Sequence, residues 1–113
     1  MNKKDKLRFK LYDRDGKNCY YCGIAEGDFI PIWGKFYKGR GKILELERKD
    51  NERGYSKKNC VLACAICNNA KSNKFTCEEF KEVGKAIKKI WLSKKDKNFK
   101  KFIDQERKIK LAI

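Results

Sequence analysis

The sequence contains no histidine, and its 113 residues include a single proline and a single methionine. The absence of histidine excludes the imidazole ring both as a metal ligand and as a general base. Long apolar runs are also absent, so no segment approaches the roughly 20 apolar residues that a membrane-spanning helix requires. We therefore expect no membrane partner. The basic stretch from Met1 to Lys6 is not followed by an apolar run, so we expect no signal peptide.

Acidic residues are scarce as well. Fifteen Asp and Glu stand against thirty Lys and Arg, which leaves a formal net charge of +15. A lysine-rich surface is in many proteins only a solvated face, but here the excess of basic residues is spread along the whole chain and interleaved with aromatic residues. This pattern favours a polyanionic partner. We predict that the partner is DNA, with RNA as an alternative, and that the protein is cytoplasmic.

The length indicates one domain spanning residues 1–113, with no internal repeat and no low-complexity linker. Apolar spacing predicts a helix from about Lys3 to Asp13, followed by a turn at Asp15-Gly16. Residues 24–42 are irregular and contain the proline. Their apolar side chains should cover the core as a short helix or loop, and these are Phe29, Ile30, Ile32, Trp33, Phe36 and Tyr37.

The second half of the chain shows a strand, loop, strand and helix pattern. One strand begins at Ile43 and ends at Glu47-Arg48, and a second, antiparallel strand covers Asn59 to Leu62. A short helix should follow from Cys64 to about Ser72. The strands and the helices together predict an α+β fold.

Two further helices are predicted at the C-terminal end. Thr76 and Glu79 form a capping box that opens a helix ending near Ser93, and a last helix runs from about Lys97 to Leu111. Residues 81–113 carry twelve Lys or Arg and four acids, so this end is expected to track phosphates. The side chains expected to face the core are Phe80, Val83, Ile87, Ile90 and Trp91 in the first helix, and Phe99, Phe102, Ile103 and Ile109 in the second.

Four of the six cysteines form two Cys-x-x-Cys pairs, Cys19/Cys22 and Cys64/Cys67. Two thiolates at this spacing can occupy adjacent corners of a tetrahedron, so two such pairs complete a closed zinc site. A redox dithiol would need a βαβ setting that the chain lacks. In an intracellular protein such pairs are more often metal ligands than disulfides.

The other two cysteines, Cys60 and Cys77, have no partner at ligand spacing. Cys60 alternates with Leu62 in a strand pattern, and Cys77 opens a helix. We interpret both as small apolar residues that fill the core.

Taken together, the motifs resemble those of the HNH endonuclease superfamily, in particular its small phage and bacterial members. The resemblance runs from about Arg8 to Trp91 and implies a ββα-metal core at about residues 8–75. An N-terminal helix and a basic C-terminal extension of about residues 76–113 flank this core. The motifs that carry the resemblance are Cys19-Tyr-Tyr-Cys22-Gly23, Glu47-Arg-Lys-Asp-Asn-Glu-Arg-Gly-Tyr55, Asn59, and Cys64-Ala-Ile-Cys67-Asn-Asn-Ala-Lys71.

The resemblance implies a role for each matching residue. Glu47 stands at the position of the metal-binding Asp, and Asn68 at that of the second ligand of a catalytic Mg²⁺ or Mn²⁺. Arg48 occupies the position of the histidine that is the general base in many members. Asn59 matches the Asn that braces the loop between the strands, and Lys71 matches a basic residue near the phosphate. The four paired cysteines match the structural zinc site.

Two departures from the family pattern affect the predicted chemistry. Glu47 is one methylene longer than Asp, which a hard cation tolerates. Arg48 cannot accept a proton near neutral pH, because its pKa stays above about 12. Its guanidinium can instead clamp a phosphate oxygen. The nucleophile would then be activated by the metal, by Asp50, by the phenol of Tyr55 or by the substrate's own phosphate.

Other readings of these residues remain open. Glu47, Arg48 and Asp50 could form an ordinary salt-bridge cluster at a strand end, and Tyr55 could simply pack on the core. The segment around Arg40 is a basic, glycine-rich loop. Its basic side chains could contact phosphate or could simply be solvated. We assign nucleic-acid contacts to Arg40, Lys71 and Lys74.

The resemblance implies a metal-dependent DNA endonuclease or nickase that hydrolyses phosphodiester bonds. The alternative is a catalytically inactive, zinc-stabilised nucleic-acid-binding module on the same scaffold, which the missing histidine favours. A third possibility is a phage-encoded protein that binds an acidic protein through its basic helices. The retained acid and Asn argue against the last two, and a phage protein would act in the host cytoplasm.

Overall fold

The computed structural model describes residues 1–34 and 42–112, and within the last helix the side chains up to residue 97 and those of residues 104 and 105. The described chain contains α-helices and one two-stranded sheet, so the predicted α+β class is confirmed. A short 3₁₀ turn, Glu26–Asp28, precedes α2. The elements are α1 (Lys3–Asp15), α2 (Phe29–Trp33), β1 (Glu45–Arg48), β2 (Cys60–Ala63), α3 (Ala65–Lys71) and α4 (Cys77–Ala112).

The sheet and α3 form the predicted ββα unit. β1 and β2 are antiparallel, with Leu46 opposite Leu62. Every residue of β2 is buried, which fits a strand that packs against β1 on its edge and α1 on its face. α3 begins two residues after β2, with Cys64 as its N-cap. The end of β1, the start of α3 and the loop between the strands therefore lie close together.

α1, at the N-terminal end of the chain, packs against the ββα unit. The side chain of Asn2 caps its first turn by accepting a hydrogen bond from the backbone N–H of Asp5, and Gly16 ends it with φ +79°. Leu11 is fully buried against the core. Near its end, Arg14 donates hydrogen bonds to the backbone carbonyls of Lys57 (2.5 Å) and Cys60 (3.0 Å). α1 thereby holds the segment that leads into β2.

The C-terminal part is one helix and not two. The predicted capping box is confirmed, since the backbone N–H of Thr76 donates to Glu79 and that of Glu79 donates to the Thr76 hydroxyl. From there α4 runs unbroken for 36 residues, about 54 Å at 1.5 Å per residue. The predicted break at Ser93–Asp96 is wrong because this stretch is polar but contains neither Gly nor Pro, and polar residues alone do not end a helix.

One face of α4 packs on the core. Phe80 is fully buried, and Val83, Ile87 and Trp91 pack against the core cluster. Ile90 is 53% exposed, so its predicted burial is wrong. The predicted burial of four further residues lies outside the described side chains, and these are Phe99, Phe102, Ile103 and Ile109.

The segment after the first cysteine pair closes the core on its other side. Phe29 and Ile32 of α2 are buried, and the Phe29 ring stacks on Trp33 with 4.4 Å between centroids. Ile30 is 52% exposed and does not cover the core. Phe36, Tyr37 and Arg40 lie outside the described residues. Among the described residues, no helix is both long enough and apolar enough to cross a membrane.

Candidate active site and zinc centre

The four paired cysteines converge into one buried cluster. Cys19 and Cys22 come from the turn after α1, and Cys64 and Cys67 from the first turn of α3. Their sulfur atoms all lie within 4.8 Å of one another, and the Sγ atoms of Cys22 and Cys64 are 3.8 Å apart. The predicted meeting of the two pairs is confirmed. Cys60 and Cys77 are also buried but do not belong to the cluster.

The geometry of the cluster fits a tetrahedral zinc ion. With Zn–S bonds of about 2.3 Å, two ligand sulfurs are separated by about 3.8 Å. Hydrogen bonds from the Cys22, Cys64 and Cys67 thiols lower the pKa of Cys19, so one thiolate forms readily. That thiolate in turn raises the pKa of Cys67. The four sulfurs can all be deprotonated only around a cation, which is the chemistry of a Cys₄ zinc site.

The cluster is braced by α4, a contact that the cysteine spacing does not reveal. The indole N–H of Trp91 donates to the Cys22 sulfur at 3.2 Å. One helical turn earlier than Ile87, Gly84 packs directly on the backbone of Tyr21, which lies between the first two cysteines. Trp91 was predicted only as a core residue. The first half of α4 is therefore part of the metal centre's support.

Glu47 is buried at the end of β1 and is held by two side chains. Its carboxylate Oε2 accepts a 2.6 Å hydrogen bond from the Tyr21 hydroxyl. Its Oε1 lies 2.8 Å from the ammonium of Lys71. Glu47 is 4% exposed and Lys71 is fully buried. Burial and the hydrogen bond to Glu47 raise the pKa of Tyr21, so the phenol stays protonated and donates.

The burial of Lys71 corrects its predicted contact with nucleic acid, because the side chain faces Glu47 and not the surface. The contact of Tyr21 with Glu47 was not predicted, because Tyr21 lies 26 residues before the carboxylate that it contacts. For Lys71, the spacing along α3 could have indicated that the side chain faces β1. Lys71 follows Asn68 by three residues, so the two share a face of α3.

Asn68 does not contact Glu47 in the structure. Its amide donates a 2.9 Å hydrogen bond to Oε1 of Glu45, two residues earlier in β1. Glu45 and Glu47 lie on the same side of the strand because side chains alternate. α3 thus presents an amide to one strand carboxylate and an ammonium to the next.

Asn59 connects both ends of the loop between the strands. Its amide nitrogen donates to the backbone carbonyls of Asp50 and Gly54, each at 3.0 Å. Its oxygen accepts from the backbone N–H of Asp50 at 3.0 Å. Asn59 is 8% exposed. These three bonds fix the shape of the loop that follows Arg48.

Arg48 lies at the rim of the site. It is half-buried, its guanidinium carbon is 4.9 Å from the centroid of the Tyr55 ring, and it donates to the backbone carbonyl of Arg53 at 3.2 Å. The ammonium of Lys4 in α1 lies 4.4 Å from the centroid of the same ring. Tyr55, 45% exposed, does not pack in the core. Two cations and one exposed ring therefore meet where β1 ends.

A cleft of about 760 Å³ opens beside this rim, between the loop after β1 and the segment that joins α3 to α4. Lys74 is exposed and lines the cleft. The other predicted nucleic-acid contact, Arg40, lies outside the described residues. The walls of the cleft are residues 49–52 and 73–79.

The predicted divalent-cation site at Glu47 and Asn68 does not fit the observed arrangement. A carboxylate that coordinates Mg²⁺ or Mn²⁺ needs a free oxygen facing the ion. Both oxygens of Glu47 already accept from Tyr21 and Lys71, and the Lys71 ammonium would repel a divalent cation. A cation at Glu47 would require Lys71 to move.

An antiparallel hairpin followed directly by a helix, with a Cys₄ cluster at the helix start, is the ββα-metal arrangement. No protein-family model matches the chain. It is 36% identical to an uncharacterized protein of Acanthamoeba polyphaga mimivirus over a stretch of 55 residues. That stretch makes up 49% of this chain but only 8% of the mimivirus protein. Among solved structures it is similar to the rare-cutting HNH restriction endonuclease PacI, with a TM-score of 0.63, 29% identity and coverage of 82% of each chain.

The chain is thus similar in fold and in sequence to the HNH endonuclease superfamily, which its sequence motifs resemble. Its Cys₄ cluster corresponds to a zinc-containing variant of that superfamily.

Proposed function

We propose that the chain is a DNA endonuclease or nickase that hydrolyses phosphodiester bonds. The observation that carries the proposal is its likeness to PacI, a restriction endonuclease that perturbs DNA, over 82% of each chain and at 29% identity. The net charge of +15 supports a polyanionic substrate. A zinc ion bound by the four cysteines would hold the ββα unit and would not take part in the reaction.

Arg48 is the residue best placed to contact the scissile phosphate. Its side chain lies at the exposed rim of the site, where Tyr55 orients its guanidinium. A planar guanidinium can donate two hydrogen bonds to phosphate oxygens and stabilise the charge that develops on them. Arg48 would therefore serve as a phosphate clamp, and not as the base that a histidine provides elsewhere in the superfamily.

The attacking water needs a separate proton acceptor. The side chains that the structure offers at the rim are Tyr55 and Asp50. The Asp50 carboxylate accepts from the backbone N–H of Glu52 and lies 3.6 Å from the Arg53 guanidinium, and it is exposed. Substituting Asp50 by Asn and Tyr55 by Phe, each with the DNA-binding affinity measured in parallel, separates the two candidates. Loss of turnover at unchanged affinity identifies the acceptor.

The direct test of the proposal is cleavage of supercoiled plasmid by the zinc-loaded chain, with Mg²⁺, with Mn²⁺ and with no divalent ion added. We expect conversion to open-circular or linear DNA in at least one condition. Arg48→Ala should abolish the conversion and leave zinc content intact, because the Arg48 side chain contacts Tyr55 at the rim of the site. Glu47→Ala would leave the buried ammonium of Lys71 unpaired, which destabilises a protein by about 3–5 kcal/mol. Glu47→Gln also removes the charge but keeps an oxygen that can accept a hydrogen bond from Lys71, so it is the better variant for asking whether cleavage needs the Glu47 carboxylate.

The second candidate is a zinc-stabilised DNA-binding module without catalysis. It is favoured by the carboxylate of Glu47, whose two oxygens already accept from Tyr21 and from the Lys71 ammonium, and by the absence of histidine from the chain. This candidate predicts salt-sensitive DNA binding with no cleavage under any of the ionic conditions above.

A further inference from the structure

The pair formed by Glu47 and Lys71 has no role in the mechanism proposed above. Its two charged atoms are 2.8 Å apart, and the side chains are 4% and 0% exposed. The Lys71 ammonium also lies 3.5 Å from the backbone carbonyl oxygen of Arg48. The pair is therefore a buried charge pair inside the strand–helix interface, at the position where the superfamily pattern predicts a metal.

Secondary structure places Lys71 at this position. Asn68 and Lys71 are three residues apart on α3, so both face β1. Glu45 and Glu47 are two residues apart on β1, so both face α3. The observed contacts pair Asn68 with Glu45 and Lys71 with Glu47. The ammonium is thus aligned with Glu47 by the register of the helix on the strand.

Removing either partner has a large effect in a buried pair. The remaining charge loses its partner in a poorly solvated site, which is strongly destabilising. As long as Lys71 stays, its positive charge opposes a second cation at the same carboxylate. Tyr21 donates a hydrogen bond to the other oxygen, so a cation on that side would have to share that oxygen with the phenol.

We propose that Lys71 is the resident cation of this site: its ammonium neutralises Glu47 in the free protein and excludes Mg²⁺ and Mn²⁺ from that carboxylate. The inference concerns the site of the proposed function, but it is tested by ion binding and not by cleavage. Failure to cleave DNA would therefore count against the proposed function without affecting this inference.

The test is a titration of the zinc-loaded chain with Mn²⁺, with free Mn²⁺ measured by electron paramagnetic resonance. The parent should show no binding that depends on Glu47, so parent and Glu47→Gln should give the same curve. Lys71→Gln frees the carboxylate and should bind Mn²⁺ at least about tenfold more tightly than the parent. Lys89→Gln, which makes the same charge change at an exposed position of α4, should leave the parent's curve unchanged.

Thermal unfolding of the same proteins provides a second readout. Lys71→Gln leaves Glu47 unpaired, so it should melt below the parent, and added Mn²⁺ should raise its Tm by mass action while leaving that of the parent unchanged. The double variant Lys71→Gln/Glu47→Gln should lose both the tighter binding and the Mn²⁺-dependent rise. Parent binding that disappears in Glu47→Gln would overturn the inference. So would a Lys71→Gln variant that gains no affinity, or one that Mn²⁺ does not stabilise.

Discussion

Gly84 is the position where a single added methyl group tests the packing of α4 on the Cys₄ cluster. A Cβ built on Gly84 would lie 2.3 Å from the carbonyl oxygen of Tyr21, 2.6 Å from its carbonyl carbon and 2.9 Å from its Cβ. Real Cβ atoms essentially never come within 3.0 Å of a heavy atom. Because two of the three obstacles are backbone atoms, Gly84→Ala forces α4 away from the first cysteine pair by about 1 Å.

The expected cost follows from two opposing terms. Overpacking against a rigid neighbour costs up to about 3 kcal/mol, and replacing a helical glycine by alanine returns up to about 1 kcal/mol. The net loss of about 2 kcal/mol corresponds to a fall in Tm of roughly 10 °C for a domain of this size. The displacement should also lengthen the 3.2 Å hydrogen bond from Trp91 to Cys22, so zinc should be released more easily.

The assay is thermal unfolding of the zinc-loaded chain, combined with competition for zinc by a chromogenic chelator. Gly27→Ala is the matched control, because a Cβ there has no heavy atom within 4 Å. The control should change stability by no more than about 0.5 kcal/mol. If Gly84→Ala melts with the parent and holds zinc equally well, α4 does not cross the first cysteine pair as described.

Three further predictions concern the zinc centre, the loop and the substrate. Cys64→Ser should abolish zinc binding and unfold the domain, because metal binding contributes directly to folding. Circular dichroism and metal analysis of the variant test this. A variant that stays folded without zinc would contradict it. Asn59→Ala removes three hydrogen bonds to loop backbone and should cost about 2–3 kcal/mol, measured by denaturant unfolding. The control is Asn51→Ala, because the partly exposed Asn51 side chain donates one 3.4 Å hydrogen bond, to Ser72. Equal losses of stability in the two variants would show that Asn59 does not hold the loop. Affinity for duplex DNA should fall with salt at a log–log slope of about −0.9 per phosphate neutralised, and a flat dependence in fluorescence anisotropy would favour a protein partner instead.

The sequence was sufficient to predict the Cys₄ cluster and the ββα unit, for a physical reason. Four thiolates at knuckle spacing have few arrangements other than a tetrahedron, and strand periodicity determines which faces meet. The single α4 was missed because a polar stretch without Gly or Pro is compatible with both a loop and a solvated helix. Only packing of the preceding turns decides between them.

The surroundings of Glu47 could not be predicted in the same way. Tyr21 reaches it across 26 residues of chain, and no local pattern encodes that contact. The family resemblance implied that Lys71 lies near the phosphate, and its full burial was not expected because lysine is rarely fully buried. Its burial follows from the register of α3 on β1, which depends on the placement of the Cys₄ cluster at the helix start.

The most direct test of the central claim is the rate of plasmid cleavage by Arg48→Lys, measured with DNA-binding sites saturated. Lysine keeps the charge but loses the planar fork, so turnover should fall at least about tenfold while zinc content and DNA affinity stay close to the parent's. Arg8→Lys, in α1 and paired with Asp5 outside the site, should cleave at the parent's rate. Equal rates for Arg48→Lys and the parent, or a parent that cleaves no DNA with any divalent ion, would contradict a nuclease in which Arg48 clamps the scissile phosphate.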